Sequence, residues 1–395
     1  MKVTTPGTEG AQRGSVFHRL YTGTGAFDIV GKRSWWYISL GLLVLVCIGA
    51  MGFKGFNLGI DFEGGTKIQM PAVGVQGPIQ ADQVQAAFQD ALGHPAETVQ
   101  IAGSGSNQSI QIRSSSLTTE QVAAVKQSLF NELQPLNAQG APSEQVISDS
   151  AVSGTWGGEI TQQALIALGV FLVLVTIFLA FYFEKWMAVA ALIALLHDVV
   201  VTAGIYSLVG FEVTPSTVIG LLTILGFSLY DTVVVFDKVK ENTRGLLGLT
   251  RRTYGEAANL AVNQTLMRSI NTSVIALLPV IGLLVVGAGL LGVGVLQDLA
   301  LVQMVGMIAG VVSSIFLATP LLVDFKMREP KFREHAAKVQ QRRERAALKA
   351  AGEDVPVEPK RAAEPKRAVA AGSGSRGGRP GPGGKAGRPS GKRRR

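Results

Sequence analysis

Through the second half of this chain, apolar residues run on for the length of a membrane crossing before charge interrupts them, and one further such run stands alone near its start. Six segments have the roughly 17–25 apolar residues that a helix needs to traverse a hydrocarbon core. They lie at 35–53 and at about 160–183, 186–209, 214–236, 269–288 and 295–325. The last is long for a straight crossing, so tilt or a frayed end is expected. Between the first and second runs, over 54–158, the pattern changes to short half-polar segments. There "GTKIQM", "TVQIAG" and "QSIQIRSS" read as strands, the last two separated by the turn "SGSNQ". "ADQVQAAFQDALG" reads as a helix closed by Gly93, and "TTEQVAAVKQSLFNEL" as a second helix whose Thr118 and Gln121 are spaced as a capping box. "EQVISDSAVS" supplies a final, polar strand. The order β-α-β-β-α-β is that of a ferredoxin-like split unit. The expected fold class is therefore an α-helical integral membrane protein with six transmembrane helices and one small α+β ferredoxin-like domain.

Charge turns this pattern into a topology. Only 16% of residues are charged, against about a quarter in soluble domains, and the net charge of +9 comes largely from the two ends. Lys32 and Arg33 precede the first run, Lys185 joins the second to the third, and Lys326 and Arg328 follow the sixth. Lys238, Lys240, Arg244, Arg251, Arg252 and Arg268 fall between the fourth and fifth. With alternating helices all of these lie on one side, which the positive-inside bias makes cytoplasmic. The expected organisation is a cytoplasmic leader (1–34), a first span (35–53), an extracytoplasmic domain (54–158), five further spans (159–325) and a basic, disordered cytoplasmic tail (326–395). Within that tail "HAAKVQQRRERAALKAAG" can form a basic helix, while "GSGSRGGRPGPGGKAGRPSGKRRR" cannot pack a core. Contact of the tail with anionic lipid or the ribosome is one reading, a solvated tail the other. No small-residue cleavage site follows the first run, so that run is expected to stay as a span. Cys47, the single cysteine, is expected to be a buried inert thiol. His94, before Pro95 in a turn, is expected at the surface.

Four places break the apolar runs. His197 and Asp198 lie near the middle of the third. In "GFSLYDTVVVFDKVKENTR" (226–244), Ser228, Asp231 and Thr232 share one helical face of the fourth. Gln264, Arg268 and Asn271 lie at the start of the fifth, and Asp298 at the start of the sixth. A charge at the centre of a span costs at least ~2.5–3.5 kcal/mol. A carboxyl group escapes part of that cost by staying protonated or by ionising beside a cation; Arg268 is the candidate cation for Asp231. A group able to pass between those states can carry a proton. Structural alternatives stand beside this one: Arg268 can snorkel to the headgroups, Asp298 can be a solvated first-turn acid, and His197–Asp198 can be a satisfied interhelical pair. Asp237 reads as the polar end of its helix. No P-loop is present, because the Gly-Lys pairs at 31–32, 384–385 and 391–392 lack a following Ser or Thr. No nucleophile–base or metal set converges, so an enzyme is not expected, and neither is a cofactor.

The motifs "LGIDFEGGT" (58–66), "HDVV" (197–200), "GFSLYDTVVVFDKVKENTR" (226–244), "NQTLMRSINTS" (263–273) and "LQDLALVQMVGMIAGVVSSIFLATPLL" (296–322) resemble those of the SecF side of the SecD/SecF family, within the RND superfamily of proton-driven transporters. The resemblance covers all six spans in order. It implies half of a pseudo-symmetric twelve-helix unit completed by SecD, in the plasma membrane of a bacterium. It implies partnership with the SecY/SecE/SecG channel and a YajC-type accessory subunit, and late-stage export of unfolded polypeptide driven by the proton-motive force. Asp231 and Arg268 match charged positions tied to proton conduction. Asp61, Gly64 and Gly65 match a signature at the base of the external domain, where paired glycines permit a tight turn or hinge. Tyr230 and Glu63 depart from the common family residues. Two other classes remain: a stand-alone RND exporter of small molecules or lipids, and a subunit that braces the channel without conducting.

Overall fold

The computed structural model describes residues 27–102, 108–137, 139–290 and 294–350. Its long helices are α1 (Arg33–Phe53), α4 (Gly154–Tyr182), α5 (Lys185–Val209), α6 (Pro215–Thr243), α7 (Tyr254–Gly282) and α8 (Gly294–Ser313), the last continued by α9 (Thr319–Met327). Six stretches of these are long and apolar enough to cross a membrane. The bundle has an inside. Half of the best apolar window is buried in α5 and in the α8–α9 stretch, against 11% in α1 and α4, so α5 and α8–α9 form the centre and α1 and α4 the periphery.

Small residues set the distances between the central helices. A Cβ added at Gly306 would fall 1.6 Å from Ile224 Cδ1, and one at Gly310 would fall 2.8 Å from Ser228 Cβ. Gly306 and Gly310 are four residues apart on α8, a small-xxx-small face that lets α6 approach closely. Gly204 does the same on α5, where an added Cβ would fall 2.1 Å from that of Cys47. That contact buries the thiol, which is 1% exposed.

Two of the long helices depart from α geometry, and proline stands beside each departure. Pro279 lies inside α7, just ahead of a π-helical stretch at Leu283–Leu290. Pro320 follows a π turn at Ser314–Ala318. Proline has no N–H to give to the preceding turn, and a wider turn absorbs the mismatch. The sixth apolar run is thus one crossing with a π turn inside it. α7 begins at Tyr254, well before the apolar run at 269–288, because Thr253 and Glu256 form a capping box there and Ala257, Ala258 and Ala261 bury one side. Arg268 and its neighbours therefore lie mid-helix.

Outside the bundle stands the α+β domain. Its strands are β2 (Gly65–Pro71), β3 (Thr98–Ala102), β4 (Ser109–Ser114) and β5 (Ser148–Val152), in the antiparallel order β3-β4-β2-β5. With helices α2 (Ala81–Leu92) and α3 (Thr119–Leu133), this is the ferredoxin-like arrangement. The register sets Ile68 opposite Ile112 and Met70 opposite Ile110, and these pack with Phe88 and Leu129 in one core. The polar β5 is an edge strand, where exposed polar side chains discourage pairing with other chains. Gly93 closes α2 in the left-handed conformation and the Thr118–Gln121 capping box opens α3, as the spacing predicted. Phe88 is fully buried, so Phe88→Ala is expected to cost about 3–5 kcal/mol. Faster tryptic cleavage of this domain in the full chain is the measurement that checks it.

A short parallel pair that the sequence pattern did not announce ties the domain to the bundle. β1 (Asn57–Leu58) follows α1 and pairs with β6 (Glu212–Val213) in the turn between α5 and α6. After one helical turn at Ile60–Glu63, Gly64 and Gly65 lead into β2 with φ of +80° and +130°. The basic helix expected in "HAAKVQQRRERAALKAAG" is present as α10 (Pro330–Ala350), starting five residues earlier within the tail otherwise expected to be disordered. Phe332 packs against Tyr254 with ring centroids 4.9 Å apart and the planes tilted by 60°, and His335 Nε2 donates to the Leu249 carbonyl at 2.6 Å. The glycine- and proline-rich remainder of the tail lies outside the described residues.

Candidate functional site

Several buried polar groups of the bundle gather around two carboxylates. Asp198 on α5 and Asp231 on α6 are 2% and 5% exposed. Asp198 Oδ2 accepts from Ser228 Oγ at 2.5 Å and from Ser313 Oγ at 2.9 Å, and its Oδ1 lies 3.1 Å from His197 Nδ1. Asp231 Oδ1 accepts from Ser269 Oγ at 2.5 Å, and its Oδ2 accepts from Ser314 Oγ. Thr232 gives its hydroxyl to the Ser228 carbonyl one turn back. No lysine or arginine among the described residues forms an ion pair with either carboxylate.

Ser313 and Ser314 are adjacent in sequence, yet each serves a different carboxylate. Consecutive helical residues point about 100° apart, so one helix edge can address acids on two neighbouring helices. The start of the π turn falls between them. These serines and Ser269 do not stand out in the sequence, because hydroxyls cost little in an apolar run. A signal was available: Gly306, Gly310 and Ser313/Ser314 recur at helical spacing as small residues on one edge of "GMIAGVVSS".

The other expected members fall elsewhere. Arg268 is not the partner of Asp231. It is exposed, and its Nη2 donates to Tyr230 Oη at 3.4 Å. The reason is rotation: Ser269 is the α7 residue that reaches Asp231, and Arg268, one position earlier, is turned away by about 100°. Tyr230 precedes Asp231 in the same way, so the outward pair Tyr230–Arg268 shadows the inward pair Asp231–Ser269. Gln264 is exposed and accepts from Asn242 Nδ2 at 2.9 Å, and Asn271 is exposed. Asp298 lies at the far end of α6, accepting from Thr214 Oγ1 at 3.4 Å. The 17 positions from Thr214 to Asp231 correspond to about 25 Å of helix, so Asp298 is outside the cluster. His197 and Asp198 do meet, and His197 Nε2 is buried with no partner among the described residues.

At the base of the α+β domain, Gly64 and Gly65 form a packed joint. A Cβ on Gly64 would lie 2.6 Å from the Gly154 nitrogen, and one on Gly65 would lie 2.6 Å from the Ser114 carbonyl oxygen. Asp61 sits half-buried in the helical turn just before them.

The hydroxyl contacts carry a stability consequence. Ser269→Ala and Ser314→Ala each leave Asp231 one donor short, which is expected to cost about 1–3 kcal/mol. Ser273→Ala removes only a bond to the Ser269 carbonyl and should cost less than either. Thermal denaturation of the three purified variants ranks them.

Comparison with known proteins agrees with this architecture. Residues 132–328 match the family model described as "Protein export membrane protein SecD/SecF, C-terminal", and residues 49–73 match the SecD/SecF GG motif. The chain is 55% identical over 329 residues to the protein translocase subunit SecF of Mycobacterium tuberculosis (strain ATCC 25618 / H37Rv), covering 83% of this chain and 74% of that one. It is 43% identical over 383 residues to the SecF of Streptomyces coelicolor, covering 96% and 99%. The crystal structure of SecDF from Thermus thermophilus, a translocon-associated membrane protein, superposes with a TM-score of 0.64 at 31% identity. That likeness covers 76% of this chain and 38% of the SecDF chain. The two glycine-bearing and C-terminal family matches, the six crossings and the extent of these identities establish that the chain belongs to the SecF family of protein translocase subunits.

Proposed function

We propose that this chain works with a SecD partner as a proton-coupled subunit of the Sec export machinery, promoting late-stage translocation of unfolded polypeptide with the proton-motive force. The observation that carries the reading is the pair of buried carboxylates held by serine hydroxyls, with His197 also beside Asp198, and with no lysine or arginine among the described residues paired to either. A hydroxyl can donate to a carboxylate and, after rotating, accept from a carboxylic acid. The same cage therefore tolerates both protonation states, which a fixed salt bridge would not. Asp231 is the principal proton carrier in this reading. Asp198, His197, Ser228, Thr232, Ser269, Ser313 and Ser314 form the polar path around it.

Arg268, Tyr230, Gln264 and Asn271 face outward, where a second set of helices would meet them. The exposed apolar faces of α1, α4 and α7 suit lipid or such a partner. This chain corresponds to 38% of the length of the solved SecDF; SecD would complete a twelve-helix unit here. Basic residues at one set of helix ends support cytoplasmic termini and an extracytoplasmic α+β domain. Contacts with the SecY/SecE/SecG channel and a YajC-type subunit belong to the same reading. The fully satisfied Asp231 cage also fits a second one, in which the chain braces the translocon and conducts nothing. Affinity purification of the full chain from membranes tests the partnership: SecD and SecY in the eluate are expected, and recovery of a homodimer without SecD would favour a stand-alone exporter.

A further inference from the structure

A cavity of about 810 Å³ opens where the Asp28–Ser34 segment, the Arg251–Leu260 segment and α10 come together. Four arginines line it: Arg33, Arg251, Arg252 and Arg343. They arrive from three separate parts of the chain. Two are held in place by carboxylates. Arg33 Nη1 lies 3.1 Å from Asp324 Oδ1, and Arg343 donates to both oxygens of Glu256 at 2.7 and 2.8 Å. The side chains of Arg251 and Arg252 are exposed and have no ion-pair or hydrogen-bond partner among the described residues. Against these four cations stand Asp28 and Glu256 in the cavity wall and Asp324 behind Arg33, leaving a surplus of one positive charge. Arg33 opens the first crossing, so the Arg33 side of the cavity lies where that span leaves the membrane, while Arg251 and Arg252 stand just ahead of α7.

Ordinary topology-setting arginines at helix ends spread into solvent. Here they converge on one concave site, and α10 is clamped beside it by Arg343 on Glu256 and by Arg342 on Thr250. Guanidinium forks match phosphate oxygens in pairs, and basic pockets between spans on the cytoplasmic side suit anionic headgroups. We propose that this cavity binds a phosphate-bearing anion at the membrane boundary, Arg251 and Arg252 closing on it while Arg33 and Arg343 form its fixed wall. An anionic phospholipid headgroup and free phosphate share that chemistry. The proposal rests on the orientation given above only for which leaflet would supply a lipid.

Native mass spectrometry of the purified full chain in detergent tests it, with phosphatidylglycerol, phosphatidylcholine and inorganic phosphate as probes. Phosphatidylglycerol is expected to bind, and Arg251→Gln with Arg252→Gln is expected to weaken it roughly 30-fold, from about 1 kcal/mol per arginine near the surface. Lys240→Gln with Arg244→Gln removes the same charge away from the cavity and should change little. Arg251→Lys with Arg252→Lys keeps charge but loses the forks, and should fall between. Binding of inorganic phosphate without phosphatidylglycerol keeps the site and assigns it a soluble ligand. The proposal is overturned if neither anion binds, if phosphatidylcholine binds equally, or if the Lys240/Arg244 variant loses as much. None of these readouts requires export, so failure here is distinct from failure of the translocation reading.

Discussion

Asp231→Asn is expected to remove the part of polypeptide translocation that depends on the proton gradient, with the protein still folded and assembled. Asparagine has nearly the shape of aspartate. Its amide oxygen can accept from one of Ser269 and Ser314, and the other hydroxyl can rotate to accept from the amide nitrogen. The cage stays satisfied, so the stability change should be about 1 kcal/mol or less. What disappears is a group able to take up and release a proton. Each proton passed through the membrane potential is worth about 2.3 kcal/mol per 100 mV, which biases a coupled step roughly 50-fold. Translocation of a secreted reporter, compared with and without an uncoupler, is the measurement. Wild type should slow when uncoupled, and the variant should already run at the uncoupled rate. A variant that still responds fully to the gradient would leave this chain the role of a brace and move proton coupling to its partner.

The second large effect belongs to one methyl group at the base of the α+β domain. Gly64→Ala places a side chain at φ +80°, a conformation that costs a non-glycine residue about 1–3 kcal/mol. It also drives a Cβ to 2.6 Å from the backbone of Gly154, and overpacking of this kind costs about 1–3 kcal/mol more. Backbone on both sides cannot rotate away, so the joint between the domain and the start of α4 must open. Accelerated proteolysis of the α+β domain and impaired translocation are expected together. Two controls separate the causes. Gly93 has a similar φ of +77° with open space around it, and Gly158 has open space and no positive φ. Gly93→Ala should show only the strain, and Gly158→Ala should be close to neutral. If Gly64→Ala proves as stable as Gly158→Ala, the joint is compliant and acts as a hinge.

Periodicity and charge in the chain were enough to find six crossings, the β-α-β-β-α-β order and the left-handed stop at Gly93, because these depend on local spacing and on the solvent each segment must face. They were also enough to mark His197, Asp198, Ser228, Asp231 and Thr232, since polar groups in an apolar run are conspicuous for their cost. Which of them meet was a different matter. That Asp231 faces Ser269 and Ser314 while Arg268 turns outward to Tyr230 follows from a rotation of one helical position on packed helices, and no spacing within one helix encodes it. The docking of α10 on the α6–α7 loop and the pairing of β1 with β6 likewise join residues far apart in the chain. Burial of a charge is visible from its neighbours in sequence; the identity of its partner depends on helix rotation and approach, set here by glycines at 204, 306 and 310.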